Sequence, residues 1–304
     1  MSSEKPTPTP AGISVIVPAF NEQEGIGEVL HSLSRVLIRS GLTHEIIVVN
    51  DGSTDRTQEA IEALNLSIRC IRHPQNKGYG AALKSGIKKA VYDWIVIIDA
   101  DGTYPQEAIP LLVQTAWEKD WDMVVGSRDK KNAHIPWIRK PAKRFLGFLA
   151  SYLSGTPIPD LNSGLRVINK KAVKSFFPLL PEGFSFTSTI TLALLTNGYG
   201  VAYIPIDYYQ RQGKSKIKPI RDPLNFLKLI IRMVLYFDPL KIFIPVTAIL
   251  IVLAFAILIG SFLLTGKAMD VTFGVFLMSA LEIFVIGMLA DLIVKRLPLS
   301  SDQE

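Results

Sequence analysis

Trp94-Ile95-Val96-Ile97-Ile98-Asp99-Ala100-Asp101 is an apolar run that ends in two carboxylates separated by a single alanine. So short and so apolar a run suits a strand covered on both faces, as in a parallel sheet. Residues two apart on a strand share a face, and just past the strand end both carboxylates can reach one ligand. Two such groups repel unless a cation lies between them, and their hard oxygen donors suit Mg²⁺ or Mn²⁺. An Asp-x-Asp is common on its own; its position after a buried strand gives it weight.

Working outward, the same texture repeats. Ile13–Pro18, Glu45–Asn50, Ser67–Arg72 and Met123–Val125 read as further strands, with helical segments at Glu22–Arg39, Thr54–Leu64, Tyr79–Val91 and Pro105–Lys119. Ser53 or Thr54 suits a cap for the second helix, and Pro105 suits a first helical turn. This alternation predicts an α/β fold with a doubly wound, mostly parallel sheet and helices on both faces. Ligands of such sheets bind beyond the carboxyl ends of the strands. The polar clusters Asn21-Glu22, Asp51-Gly52-Ser53 and Asp99-Ala100-Asp101 all fall there.

Each cluster has a plain reading beside the chemical one. Asp51 can accept hydrogen bonds from a base or ribose, whereas Ser53, Thr54 and Asp55 serve equally well as helix caps. Asn76-Lys77-Gly78-Tyr79-Gly80 opens a helix and can present backbone N–H groups to a phosphate, although it lacks Walker spacing. His31, His44, His73 and His134 show no metal-ligand spacing and read as surface or loop residues.

The chain has 304 residues, 48% of them hydrophobic, a mean hydropathy of +0.28 and a formal charge of +6 with pI near 9.2. The single cysteine, Cys70, excludes an internal disulfide. Met1–Gly12 is polar and Pro-rich with no apolar segment, which reads as a disordered leader and not a secretory signal, so the catalytic part is expected in the cytoplasm. Most of the apolar excess follows Phe237. Ile242–Gly266 carries no charge, and Val271–Val294 is apolar apart from Glu282 and Asp291. About 20 apolar residues span a bilayer, so these two stretches predict a transmembrane hairpin. Arg232, Lys241, Lys295 and Arg296 flank its open end, which places both ends on the cytoplasmic side. A charged carboxylate at Glu282 is costly at mid-span, so it is expected to be protonated, paired or turned toward a neighbouring helix. The basic, aromatic segments 128–155 and 222–241 suit either membrane-interface helices or helices packed on the sheet with a solvated basic face. Anionic lipid therefore explains the positive charge better than nucleic acid does.

Val17-Pro18-Ala19-Phe20-Asn21-Glu22, Val49-Asn50-Asp51-Gly52-Ser53, Asp99-Ala100-Asp101 and Gly126-Ser127-Arg128 follow in order. The set resembles inverting family 2 glycosyltransferases of the GT-A fold. Asn162-Ser163-Gly164-Leu165-Arg166, then Arg211 followed by Gly213, Ser215 and Lys216, together with the hairpin, resemble the polyprenyl-phosphate branch. That branch includes dolichyl-phosphate mannose synthases and bacterial polyprenyl-phosphate glucosyltransferases. The resemblance implies that Pro18, Phe20, Glu22 and Asp51 surround the base and ribose. It implies Asp99 and Asp101 as metal and diphosphate residues; Thr103, which departs from the related pattern, still offers a hydroxyl and a carbonyl as a further metal ligand. Arg128, Arg211 and Lys216 would hold phosphates, Arg139 would join them, and Asp160 matches a base proposed in similar enzymes.

The implied reaction is inverting transfer from a nucleotide-sugar, UDP-glucose before GDP-mannose, to a polyprenyl or dolichyl monophosphate at the cytoplasmic face. Mg²⁺ or Mn²⁺ is the implied cofactor, a homo-oligomer the implied assembly, and nucleic acid is not an expected partner. The expected divisions are a leader over 1–12, a GT-A domain over 13–220, an interfacial segment over 221–241, a two-span hairpin over 242–296 and a cytoplasmic tail over 297–304. A processive polysaccharide synthase is the competing enzyme reading, but Tyr209-Gln210-Arg211-Gln212-Gly213 stands where Gln-x-x-Arg-Trp is usual. A silent nucleotide-binding membrane scaffold is the non-enzymatic reading, and the intact acidic pair argues against it. Phe20 stands where similar enzymes often have Tyr, and Gly102-Thr103 where related synthases have Leu-Gln.

Overall fold

The computed structural model describes residues 12–128, 151–152, 155–183, 185–209, 231, 234–235, 238–266 and 270–296. The chain divides into two compact units, Met1–Phe226 and Leu227–Glu304.

The first unit is built on a seven-stranded sheet. In chain order its elements are β1 (Gly12–Ala19), α1 (Ile26–Ser40), β2 (Thr43–Asn50), α2 (Thr57–Glu62), β3 (Ile68–Arg72), α3 (Tyr79–Lys89) and β4 (Trp94–Ile97). They are followed by α4 (Ile109–Glu118), β5 (Met123–Arg128), β6 (Arg166–Asn169), α5 (Lys170–Ser175), α6 (Phe186–Thr196) and β7 (Val201–Ile206). The strand order is β3-β2-β1-β4-β6-β5-β7. β1 pairs in parallel with β2 and β4, as do β2 with β3 and β5 with β7, while β6 runs antiparallel to β4 and β5. The sheet is therefore mostly parallel, and β4 and β5 point the same way.

Every residue of β1 is buried. Its alternation sends Ile13, Val15 and Val17 to a core shared with Leu30, Leu33 and Leu37 of α1 and Leu112 and Val113 of α4. Ile16, on the opposite face, meets α3, where a Cβ on Gly86 would sit 2.6 Å from Ile16 Cγ2. Helices thus cover both faces, as the apolar runs imply.

The helix starts differ from the sequence expectation for a local reason. α1 begins at Ile26 and not Glu22, because Asn21 takes a positive φ of 53° and residues 21–23 bond the loop after β2. Ser53 does not cap α2: its Oγ accepts the Asn21 N–H at 3.0 Å, across the two loops. Pro105 precedes a 3₁₀ turn, Gln106–Ala108, that feeds α4. β6 and β7 have no counterpart among the expected strands. β6 opens on a buried arginine, and Asn169 ends it by capping α5 through Lys171 and Ala172 N–H. A polar residue at each end of four residues hides the strand from a hydrophobicity reading.

The second unit is a helical hairpin of α7 (Leu240–Thr265) and α8 (Asp270–Arg296). Leu240–Leu264 and Val271–Lys295 are long and apolar enough to cross a membrane. Gly287 lets the two helices approach closely, since a Cβ there would lie 2.5 Å from Phe243 Cβ. Glu282 is exposed on the hairpin surface. Most of the two segments read as interfacial helices lies outside the described residues.

Candidate functional site

The carboxyl ends of β1, β2, β4 and β5 lie along one edge of the sheet and carry Asn21-Glu22, Asp51, Asp99-Asp101 and Arg128. The first two loops are tied to each other. Asn21 Oδ1 accepts the Thr54 N–H at 2.8 Å, and Glu22 N–H donates to Thr57 Oγ1 at 2.9 Å. Pro18 is buried inside β1, and Phe20 and Glu22 are half-buried just beyond it.

Asp51 is only 3% exposed, and its carboxylate faces its own protein. Oδ1 accepts from His73 Nδ1 at 2.6 Å and Lys77 N–H at 2.9 Å, and Oδ2 accepts from Gly78 N–H at 2.8 Å. The anion at the start of α3 is therefore Asp51, and the loop amides expected to cradle a phosphate are turned to it. Gly52 makes this closeness possible: its φ is +67°, and a Cβ would fall 2.3 Å from Gln75 C. His73, expected at the surface, is 6% exposed, with Nε2 beside the Ser85 hydroxyl at 2.9 Å.

Asp99 sits one residue past Ile98, between a hydroxyl and a backbone. Tyr79 donates to its Oδ1 at 2.8 Å, and a Cβ on Gly164 would lie 2.1 Å from its Oδ2. Gly164 is fixed in turn by its N–H, which donates to Tyr104 Oη at 2.7 Å. Burial, and then the neighbouring Asp101 charge, push the Asp99 carboxyl up to about 6 against the opposing pull of Tyr79, Arg128 and Arg166. Asp101 Oδ1 accepts from the Thr103 hydroxyl at 2.6 Å and the Thr103 N–H at 3.2 Å. Thr103 is 1% exposed and its carbonyl accepts the Tyr209 N–H at 2.9 Å, so in this arrangement it braces Asp101.

A hard divalent cation fits these residues. Burial and the neighbouring carboxylate disfavour the charged form of Asp99, and a cation between the two carboxylates relieves this. Among the described residues no third His, Cys, Asp or Glu completes a metal cluster. The remaining positions would fall to phosphate oxygens and water, as is usual for Mg²⁺.

Arg128 and Asp160 are brought together as a pair. Nε and Nη2 of Arg128 donate to the two Asp160 oxygens at 2.7 and 2.8 Å, and the Arg128 N–H adds a bond at 3.2 Å. The guanidinium also lies over the Tyr208 ring, 5.4 Å from its centroid. Burial works to raise the Asp160 pKa, but Arg128 overrides it and holds the carboxylate below its usual range. Arg166 is wholly buried, with Ser163 and Thr187 carbonyls and the Thr191 hydroxyl as acceptors at 2.6 to 3.1 Å. Its place at the head of β6, paired with Ile97 of β4, makes it a core residue. Arg139, Arg211 and Lys216 lie outside the described residues. The sequence reading missed Tyr79, Tyr104, Gly164 and His73 as parts of the site. Gly164 and Tyr79 stood within quoted motifs, but no spacing rule says that they meet Asp99 across the sheet edge.

The model of glycosyl transferase family 2 matches residues 14–177. A dolichyl-phosphate hexose transferase of Haloferax volcanii is 29% identical over 73% of this chain and 94% of its own length. A dolichol-phosphate mannosyltransferase of Pyrococcus furiosus is 32% identical over 68% of this chain, and the match spans 59% of that relative. Among solved structures, glucosyl-3-phosphoglycerate synthase of Mycobacterium tuberculosis, in complex with Mn²⁺, UDP-glucose and phosphoglyceric acid, superposes with a TM-score of 0.58. It is 21% identical, covering 74% of this chain and 80% of that one.

Proposed function

The chain belongs to glycosyl transferase family 2 and is a glycosyltransferase, and from that premise we propose that it moves a sugar from a nucleotide-sugar to a polyprenyl or dolichyl monophosphate. The observation that carries the reading is the Asp99-Ala100-Asp101 pair at the end of β4, flanked by the fixed cation Arg128. The names of the two archaeal relatives support the lipid-phosphate acceptor, and the two apolar helices suit an enzyme that meets its acceptor in a membrane. We place the catalytic domain over 13–220 at the cytoplasmic surface, an interfacial segment over 221–241 and the two-span hairpin over 242–296. UDP-glucose is the first donor to test and GDP-mannose the second.

In this reading an oxygen of the lipid phosphate attacks the anomeric carbon from the face opposite the nucleotide. One carbon–oxygen bond forms as the bond to the diphosphate breaks, and its electron pair leaves with the nucleoside diphosphate, giving inversion. Asp99 and Asp101 would hold Mg²⁺ or Mn²⁺, which supplies neutralisation of charge on the departing diphosphate. Pro18, Phe20 and Glu22 line the base and ribose side, while Arg128, with Arg139, Arg211 and Lys216, meets phosphates. The attacking phosphate is already an anion near neutral pH, so no strong base is required. Asp160 then serves by aiming Arg128, and catalysis rests on positioning and electrostatics.

The test is a donor screen. Purified protein in detergent receives Mn²⁺ or Mg²⁺, a short polyprenyl phosphate and a panel of UDP- and GDP-sugars, with released nucleotide and glycolipid mass as readouts. One donor giving a metal-dependent glycolipid is the expected result. Nucleotide binding without turnover across the whole panel would favour the scaffold reading. Polymer growing with time would favour a polysaccharide synthase.

A further inference from the structure

The connection from β3 to α3 touches both carboxylate positions of the site. At its start His73 faces Asp51 through Nδ1 and Ser85 through Nε2. A proton on Nδ1, with the Ser85 hydroxyl donating to Nε2, satisfies the ring on both sides. Asp51 in turn accepts the N–H groups of Lys77 and Gly78. One residue further on, Tyr79 reaches across to Asp99 Oδ1. The loop is also closed from behind. A Cβ at Gly80 would lie 2.1 Å from the Pro181 carbonyl, and Ala81 N–H donates to the Glu182 carbonyl at 3.0 Å. The Tyr79 hydroxyl is thus delivered from a segment with little freedom to shift.

A carboxylate torsion is soft by itself, with a broad two-fold preference. Asp99 is confined by the Tyr79 hydroxyl on one oxygen and by the Gly164 backbone against the other. We propose that Tyr79 is a positioning residue for the metal-binding carboxylate Asp99, and that His73, acting through Asp51, holds the loop that aims it. The proposal rests on the metal reading of the preceding subsection. It gives Asp51 a duty other than base or ribose recognition: its two oxygens anchor the start of α3, so the nucleotide side and the metal side of the site are coupled through one short segment. Partners one step removed from a metal typically carry a 10–100-fold effect on its affinity when removed.

The experiment titrates Mn²⁺ into full-length protein in detergent, with and without UDP or GDP, reading free Mn²⁺ by electron paramagnetic resonance against protein-free controls, with thermal melts in parallel. Tyr79→Phe keeps the ring and loses the hydroxyl; about 10-fold weaker Mn²⁺ binding is expected, with the melt little changed. His73→Leu removes the donor to Asp51 and should weaken Mn²⁺ binding too. His73→Asn, whose amide nitrogen can stand in for Nδ1, should recover it to within about threefold. Wild-type affinity in Tyr79→Phe overturns the proposal. So does a His73→Leu protein that melts early yet binds Mn²⁺ normally, because His73 would then be structural only. Wild-type protein that binds no Mn²⁺, with a nucleoside diphosphate present as well as without it, removes the metal reading itself, and the brace falls with it.

Discussion

Gly164→Ala is the substitution that tests the site geometry most directly. The added Cβ would lie 2.1 Å from Asp99 Oδ2, 2.5 Å from its Cγ and 2.8 Å from its Oδ1. Ordinary contact begins near 3.4 Å, so the carboxylate must retreat by about 1.3 Å (3.4 − 2.1). It cannot do so freely, because Tyr79 holds Oδ1 at 2.8 Å from the other side. Gly164 has no positive φ, so alanine meets no backbone penalty there. Overpacking of this kind costs about 1–3 kcal/mol, whereas a displacement of about 1 Å at a reacting centre costs on the order of 100-fold in rate. The expected outcome is a folded protein with a modestly lowered melting temperature and kcat/KM reduced about 100-fold. Gly183→Ala is the control, since a Cβ there meets nothing within 4 Å. The assay is nucleotide release with the donor and lipid phosphate that the screen identifies. A folded Gly164→Ala enzyme within threefold of wild type would refute the argument that Asp99 must stand where Gly164 lets it.

Asp160→Asn should lower stability at pH 7 by about 2 kcal/mol, the scale of hydrogen bonds to a charged group, and reduce turnover only moderately. The Asp160 pKa is depressed in the folded protein, so its contribution is present above the ordinary carboxylate pKa and fades as pH falls through the folded value. Melts of the two proteins should therefore converge only in strong acid; a variant with unchanged stability but turnover lost by several orders of magnitude would instead make Asp160 the base. For topology, a cysteine replacing Asp270 in a Cys70→Ser background should react with an impermeant reagent only from the face opposite the catalytic domain, and labelling from the same face would overturn the hairpin orientation.

Much of this protein could be read along the chain. The run from Trp94 to Ile98 suited a covered strand, β4 forms over Trp94–Ile97 of it, and the two carboxylates follow at its carboxyl end. The alternation of such runs with amphipathic stretches defined a doubly wound sheet, because each segment's burial is written into its own period. The charge-free stretch after Lys241 likewise specified a membrane-length helix through length and composition alone. Strands hidden by polar ends, such as β6, escaped because pairing between two neighbours buries Arg166 where no local pattern requires it.

Partnership was decided only in three dimensions. That Asp51 would face Lys77 and Gly78 amides, that Asp160 would grip Arg128, and that Tyr79 would meet Asp99 follow from loops far apart in the chain converging on one sheet edge. A sequence names the groups that carry charge or hydrogen bonds. Which of them remain open to a ligand depends on how many are already satisfied by each other, and that is a property of the packed sheet edge.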